Sequence, residues 1–342
     1  MVEPQMTSRE RVMKALKFNH PDRVPRNLWT LPGITMFRKK DLDEILELFP
    51  EDIVKVDSFY GKGNRVKGER YKRGQPATDE WGCVWQAAED GVAGEVKETP
   101  IKDLSDIRKL IAPYEVLRNA DTLRVNESCA NTDKFTLAWT SIRPFERMQF
   151  LLGPERLFME LFYQPEELFL LRKIVHDFFI KELDLWINTK VNGILFMDDW
   201  GSQRSLLVSP NLWRDFYKPL YKEYCDRIHS AKKFALFHSD GYIEPLCPDL
   251  IEIGTDAVNA QLFCMNIEEL GRKYRGQITF WGEIDRQQIL PFGTKEEVAA
   301  AVKRVKEALW LPEGGVIAQC EFGLRDPKEN IRTVFETWEA IA

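Results

Sequence analysis

Two residues apart near the middle of the chain, His238 and Asp240 close the apolar run KFALFHSD (233–240), and Cys320 closes GGVIAQC (314–320). On a strand, side chains two apart share a face, so an imidazole and a carboxylate point the same way, and a thiolate on another strand can meet them. Those three groups are competent zinc ligands, and a fourth position left open makes such a site catalytic rather than structural. The plainer reading of Cys320 is a small buried hydrophobe at the end of a core strand. Asp198 and Asp199 close GILFMDD (193–199) ahead of Trp200-Gly201. One of them can enter a site while the other caps the turn, or both can serve the turn. Glu283, after Trp281-Gly282, is a candidate fourth ligand or general base, with an ion pair to Arg286 as the structural alternative. Gln261 ends the run 255–261, Arg26 and Asn27 lie in the first run and Asp57 in the second; each is a candidate substrate contact or a stabiliser of the scaffold. The other histidines, His20, His176 and His229, fall at a helix end or on helices, where packing or surface roles suffice.

The elements that would position these residues are eight short apolar or β-branched runs, at 23–29, 52–59, 135–141, 193–199, 233–240, 255–261, 278–284 and 314–320. Helical patterns separate the later runs, at 154–163, 165–189, 210–230, 243–253, 266–275 and 295–309, and 327–340 closes the chain. Continuous apolar strands joined by helices describe a parallel sheet covered by helices. Eight repeats without a glycine-rich phosphate fingerprint after the first strand favour an α/β fold closed as a (β/α)8 TIM barrel over an open doubly wound sheet. In such a barrel the site forms at the C-terminal ends of the strands, where the polar residues above fall. Before the first strand, TSRERVMKALK reads as a helix capped by Thr7 or Ser8, with Val12 and Leu16 on one face. Residues 60–125 break the alternation with turn-rich stretches that read as short antiparallel strands inserted after the second strand. Trp81, Val84 and Trp85, beside Asp79 and Glu80, form a local core there or part of a lid. The expectation is one barrel domain over 1–342 with that insertion.

Composition bounds the rest. Of 342 residues, 30% are charged and 44% hydrophobic, with a net charge of −6, which describes a globular chain with a large core. Its basic residues are scattered, which argues against a nucleic-acid-binding surface. No apolar run approaches the roughly 18 residues of a membrane span, and the charged N-terminus lacks the pattern of a secretory signal, so the expected location is the cytoplasm. Six cysteines without a CxxC pair do not form a disulfide framework.

The segments SRERVMKALKFNHPDRVPRNLW, DDWGSQRSLLVSPNLWRDFYKPLYKEY, FHSDGYIEPLCPDLIEIGTDAVNAQ and GGVIAQCEFG with PKENIRTVFETW resemble the uroporphyrinogen decarboxylase superfamily from Thr7 to Trp338, apart from the insertion. That resemblance implies the same barrel. It also implies a choice between true decarboxylases and a branch of cobalamin-dependent methyltransferases. The decarboxylases carry an Arg-Gln-Ala-Gly-Arg segment after the first strand, whose arginines bind substrate carboxylates; residues 26–32 here read RNLWTLP. The methyltransferase branch binds zinc through a His-x-Cys pair after the fifth strand and a Cys after the eighth. The matching positions resemble His238, Asp240 and Cys320, with Asp in place of the first Cys and Glu283 available to complete the shell. The more oxygen-rich set suits an ether oxygen better than a thiol.

The resemblance therefore implies a zinc-dependent methyltransferase that moves a methyl group from an O-methylated small molecule to the cob(I)alamin of a partner corrinoid protein. Asp198, Asp199 and Glu283 would orient substrate or supply a proton. Two alternatives stand beside it: a metal-independent decarboxylase using Asp198 or Asp199 as general acid, and a non-catalytic corrinoid- or tetrapyrrole-binding accessory protein.

Overall fold

A computed structural model describes residues 6–340. Its strands are β1 (Arg26–Thr30), β2 (Ile53–Lys55), β3 (Pro76–Thr78), β4 (Val84–Gln86), β5 (Glu95–Glu98), β6 (Phe135–Trp139), β7 (Gly193–Met197), β8 (Phe234–Ser239), β9 (Ala257–Ala260), β10 (Thr279–Trp281) and β11 (Val316–Phe322). Eight of them form one parallel sheet in the order β1-β11-β10-β9-β8-β7-β6-β2. Between its two end strands, the amide of Asp52 donates to the carbonyl of Arg26 at 2.9 Å, bringing the sheet round to a nearly closed barrel. Each of the eight expected runs overlaps one of these strands; six contain theirs, while β1 and β11 run one and two residues past the expected ends. The helical stretch expected over 210–230 divides at Tyr217 into Pro210–Phe216 and Lys218–Ser230. No helix among the described residues is long and apolar enough to cross a membrane.

Strand alternation sorts the apolar residues into two separate cores. Ile53, Leu137, Leu195, Leu236, Trp281 and Ile317 fill the inside of the barrel. Their neighbours Ala138, Phe196, Phe237, Phe280, Ala318 and Cys320 face the surrounding helices. The N-terminal helix Ser8–Leu16 starts with a capping box between Thr7 and Glu10, and its Val12 and Leu16 join the interior core, so it plugs the end of the barrel opposite the strand C-termini. Beside it, Asp52 is fully buried and accepts from Arg11 at 2.6 Å, Arg23 at 2.7 Å and the Arg26 amide at 2.8 Å.

The insertion holds the antiparallel sheet β3-β4-β5. Trp81 and Trp85 are buried, and Asp79 binds the insertion together by accepting from the Trp81 and Cys83 amides and from Trp85 Nε1. Arg147, on the helix Pro144–Leu152, donates to Asp79 at 2.9 Å and fastens the insertion to the barrel's helix layer. Rather than a local core, the two tryptophans join the outer core, Trp81 against Phe178 at 5.0 Å and Trp85 against Phe150 at 4.7 Å.

Candidate metal and substrate site at the barrel mouth

The interior face of β8 runs Phe234, Leu236, His238, and the imidazole of His238 emerges at the mouth. Its Nδ1 lies 2.6 Å from Asn259 Oδ1, while Asn259 Nδ2 donates to the Trp281 carbonyl at 2.6 Å. With its amide nitrogen so committed, Asn259 presents an acceptor, and the proton of the neutral imidazole belongs on Nδ1. His238 Nε2 is left with a lone pair, 3.6 Å from Asp199 Oδ1 and 3.7 Å from Asp240 Oδ1. Asp240 Oδ1 is buried with no hydrogen-bond partner. Three electron-pair donors thus converge, and of the two carboxylate oxygens only Asp199 Oδ1 has a hydrogen-bond partner, the Asp240 amide. Ligands about 2.1 Å from a tetrahedral ion sit ~3.4 Å apart, close to these separations, so the group Asp199–His238–Asp240 fits a small divalent cation.

Two contacts hold this group in place: the same Asp199 Oδ1 that faces His238 accepts the Asp240 amide at 2.9 Å, and the other oxygen of Asp240, Oδ2, accepts from Arg286. Arg286 also faces Glu321 at 3.2 Å and Glu283 at 3.5 Å, so one guanidinium ties together side chains from the ends of β8, β10 and β11. Glu283 is almost fully buried. Burial pushes its carboxyl up to about 8 against the pull of Arg286, with Asp240 and Glu321 adding to the rise. Gln261 Oε1 accepts from the Gly241 amide at 3.2 Å and from the Cys264 thiol at 3.2 Å, bracing the loop that follows Asp240. Gln261, Cys264, Glu283 and Arg286 line one recess.

The remaining candidates lie elsewhere. Cys320 leaves β11 on the helix-facing side, fully buried in the outer core; burial holds its thiol far above the ordinary range, with Asp326 and Glu283 adding to the effect. It is not brought to the metal group, because the inward positions of β11 are Ile317, Gln319 and Glu321. Glu283 is also outside that group of three and reaches it through Arg286. Asp198 and Asp199 point to opposite faces. Asp198, fully buried, accepts from the Phe145 and Glu146 amides at 2.9 and 2.7 Å and from Tyr221 Oη at 2.5 Å, satisfying the first turn of the helix Pro144–Leu152, while burial pushes its carboxyl well above the usual range, with Glu146 adding to the rise. It is structural. Arg26 turns outward to Glu339 at 2.7 Å. Asn27 is consumed by Glu51, Trp29 and Trp281, and Asp57 pairs with Arg124 at 3.0 Å on the surface. None of these three contributes a free group to the mouth.

Lys55, Trp29 and Trp139 were passed over in the sequence, Glu321 was placed beside Cys320 at the end of the last strand without a role, and Arg286 was seen only as a partner for Glu283. The indoles of Trp29 and Trp139 lie 4.8 Å apart, and Trp29 reaches across the barrel to within 5.1 Å of the His238 ring. The signal was present in the two-residue period: counting inward positions from Ile53, Leu137 and Ile317 selects Lys55, Trp139 and Glu321.

The family model described as uroporphyrinogen decarboxylase (URO-D) matches residues 81–341. Among solved structures, a methyltransferase from Methanosarcina mazei superposes over 98% of this chain and 99% of its own, with a TM-score of 0.73 and 14% identity. The E. coli 3-keto-D-glucoside 4-epimerase YcjR matches 72% of this chain and 97% of its own, at a TM-score of 0.42 and 12% identity, which is too low to bear on the site. No curated protein matches the sequence.

Proposed function

Since this chain belongs to the uroporphyrinogen decarboxylase family, we propose that it acts as the methyltransferases of that superfamily do, taking a methyl group from an O-methylated small molecule and delivering it to the cob(I)alamin of a partner corrinoid protein. The observation that carries this reading is the meeting of the His238 Nε2 lone pair with the unpartnered Asp240 Oδ1 beside Asp199. A metal site there is unneeded for a metal-independent decarboxylation. The likeness of the whole barrel to a methyltransferase from Methanosarcina mazei supports the same choice.

Asp199, His238 and Asp240 would hold zinc, which supplies a Lewis acid that stabilises negative charge on an ether oxygen as its methyl group departs. The Nδ1–H bond to Asn259 fixes the imidazole plane, and Arg286 fixes the Asp240 carboxylate, so the three donors are set before substrate arrives. Glu283, with its carboxyl at about 8, carries a proton at neutral pH, and we assign it to protonate the leaving oxygen. The mouth does not suit a polycarboxylate. Arg286 already faces the Asp240 and Glu321 carboxylates and the Glu283 carboxyl, and Arg143 pairs with Glu146 at 3.5 Å.

The test is methyl transfer to reduced cobalamin from a panel of O-, N- and S-methyl donors, using zinc-loaded protein. Methylcobalamin formed from methyl ethers is the expected result. Transfer only from amines or thioethers, or a cobalamin spectral shift with no transfer from any donor, would overturn the reading.

A further inference from the structure

The helix Pro154–Tyr163 buries Leu157 and Leu161 in the outer core. A surface helix of this kind carries polar residues on its opposite face, but here Met159, Phe162 and Tyr163, spaced three and four apart, make that face apolar. Phe162 is 82% and Tyr163 74% exposed, more than any other large hydrophobic side chain among the described residues, and Met159 is 50% exposed. The rings of Phe162 and Tyr163 meet edge to face with their centroids 5.3 Å apart, and so form one ridge. Phe169, 40% exposed in the first turn of the next helix, Glu166–Ile187, adds to the apolar surface at this corner. The charges beside the ridge are already paired, Arg156 with Glu160 at 3.6 Å and Arg108 with Glu167 at 3.0 Å. The ridge shares no residue with the mouth.

We propose that this ridge is the contact between two copies of the chain related by a twofold axis. A twofold contact needs a patch that matches itself. An aromatic ridge does so, and the flanking Arg156–Glu160 pair carries both signs, so each charge can face its opposite on the second copy. Taking about 200 Å² for a fully open side chain of this size, the open parts of Met159, Phe162, Tyr163 and Phe169 amount to roughly 500 Å² per chain. Two such patches bury about 1,000 Å², the lower end of the range for a specific interface, which describes a reversible pair rather than an obligate one. A membrane surface, the other apolar occupant, is met by helices rich in lysine and arginine around the apolar face; the exposed charged neighbours of this ridge, Glu155 and Glu166, are acidic.

The experiment is sedimentation velocity of the full chain between about 1 and about 100 μM, a range that spans the association expected of so small an interface. The weight-average mass should rise from that of one chain toward that of two. Phe162→Gln should weaken this pairing by about tenfold, the scale of a central aromatic contact, and the double variant Phe162→Glu with Tyr163→Glu should stay at one chain throughout. Both side chains are exposed, so the variants keep their fold, checked by circular dichroism and thermal midpoint against the wild type. Phe292→Glu, which removes a comparably open ring from another helix, should pair as the wild type does. A wild type that stays at one chain at the highest concentration would overturn the proposal and leave the ridge to a different protein or a membrane. Pairing that survives the double variant, or that is unchanged in Phe162→Gln or lost in Phe292→Glu, would overturn it as well.

Discussion

Cys320 and Glu321 are adjacent on β11 and point to opposite sides of the barrel wall: the thiol is sealed against the helices, while the carboxylate stands in the mouth 3.2 Å from Arg286. Through Arg286, Glu321 is connected to Asp240 and so to the metal group, a connection the cysteine lacks.

That connection makes Arg286 a positioning residue. Replacing it by glutamine frees the Asp240 carboxylate to rotate and leaves Glu283, Asp240 and Glu321 without their shared cation. Zinc affinity of Arg286→Gln, measured by competition with a chromophoric chelator, should fall by about 10- to 100-fold. An unchanged affinity would show that Asp240 needs no such support.

Asp198 is expected to matter for stability. It satisfies two helix N-terminal amides and a buried tyrosine hydroxyl, so Asp198→Ala strands three donors. The loss should be on the order of 3 kcal/mol in denaturant unfolding, with zinc affinity of the folded variant near that of the wild type. Intact stability with lost metal binding would place Asp198 in the site after all.

Glu283 ties stability to pH. Its carboxyl ionises at about 8 in the folded chain against an ordinary value of 4.5. Between those values the native state holds a proton that the unfolded state has released, so this group's contribution to stability falls as pH rises across that window. Glu283→Gln removes the dependence. Relative to wild type, the variant should therefore gain stability between about pH 5 and pH 8, by an amount on the order of a few kcal/mol. A difference that stays constant with pH would contradict the burial argument.

Thiol chemistry gives an independent check on side-chain placement. Cys83, Cys129, Cys225, Cys247 and Cys320 are buried, while Cys264 is half-buried at the recess beside Glu283. Alkylation of the native protein followed by peptide mapping should label Cys264 first. Early labelling of Cys320 would mean that it faces the mouth.

The barrel was legible in the sequence because each strand is a short apolar run between turn signals, and the position of the mouth followed from the fold. His238 and Asp240 were singled out as ligand candidates, and Asp199 as a candidate to orient substrate or supply a proton, because polar residues ending apolar runs stand out. The errors share one cause. A strand buried on both faces, such as VIAQCEF, reads as continuously apolar and hides which residues point inward. So Cys320 drew attention that belonged to Glu321, and Asp198 was weighed equally with Asp199. Lys55 and Trp139 lie two residues past Ile53 and Leu137, a count that selects them only once the inward face of each strand is known, and only closure of β1 and β6 around the barrel brings the Trp29 and Trp139 indoles together. Arg26 and Asn27 looked available because their partners Glu339 and Glu51 lie 313 and 24 residues away in the chain.

A metal held by Asp199, His238 and Asp240 would bind without help from Cys320. Zinc per chain, measured by plasma emission on protein purified without chelator, tests it in three samples. About one zinc is expected in the wild type and in Cys320→Ala, and almost none in His238→Ala. A wild type without zinc, or loss of zinc in Cys320→Ala with retention in His238→Ala, would contradict it.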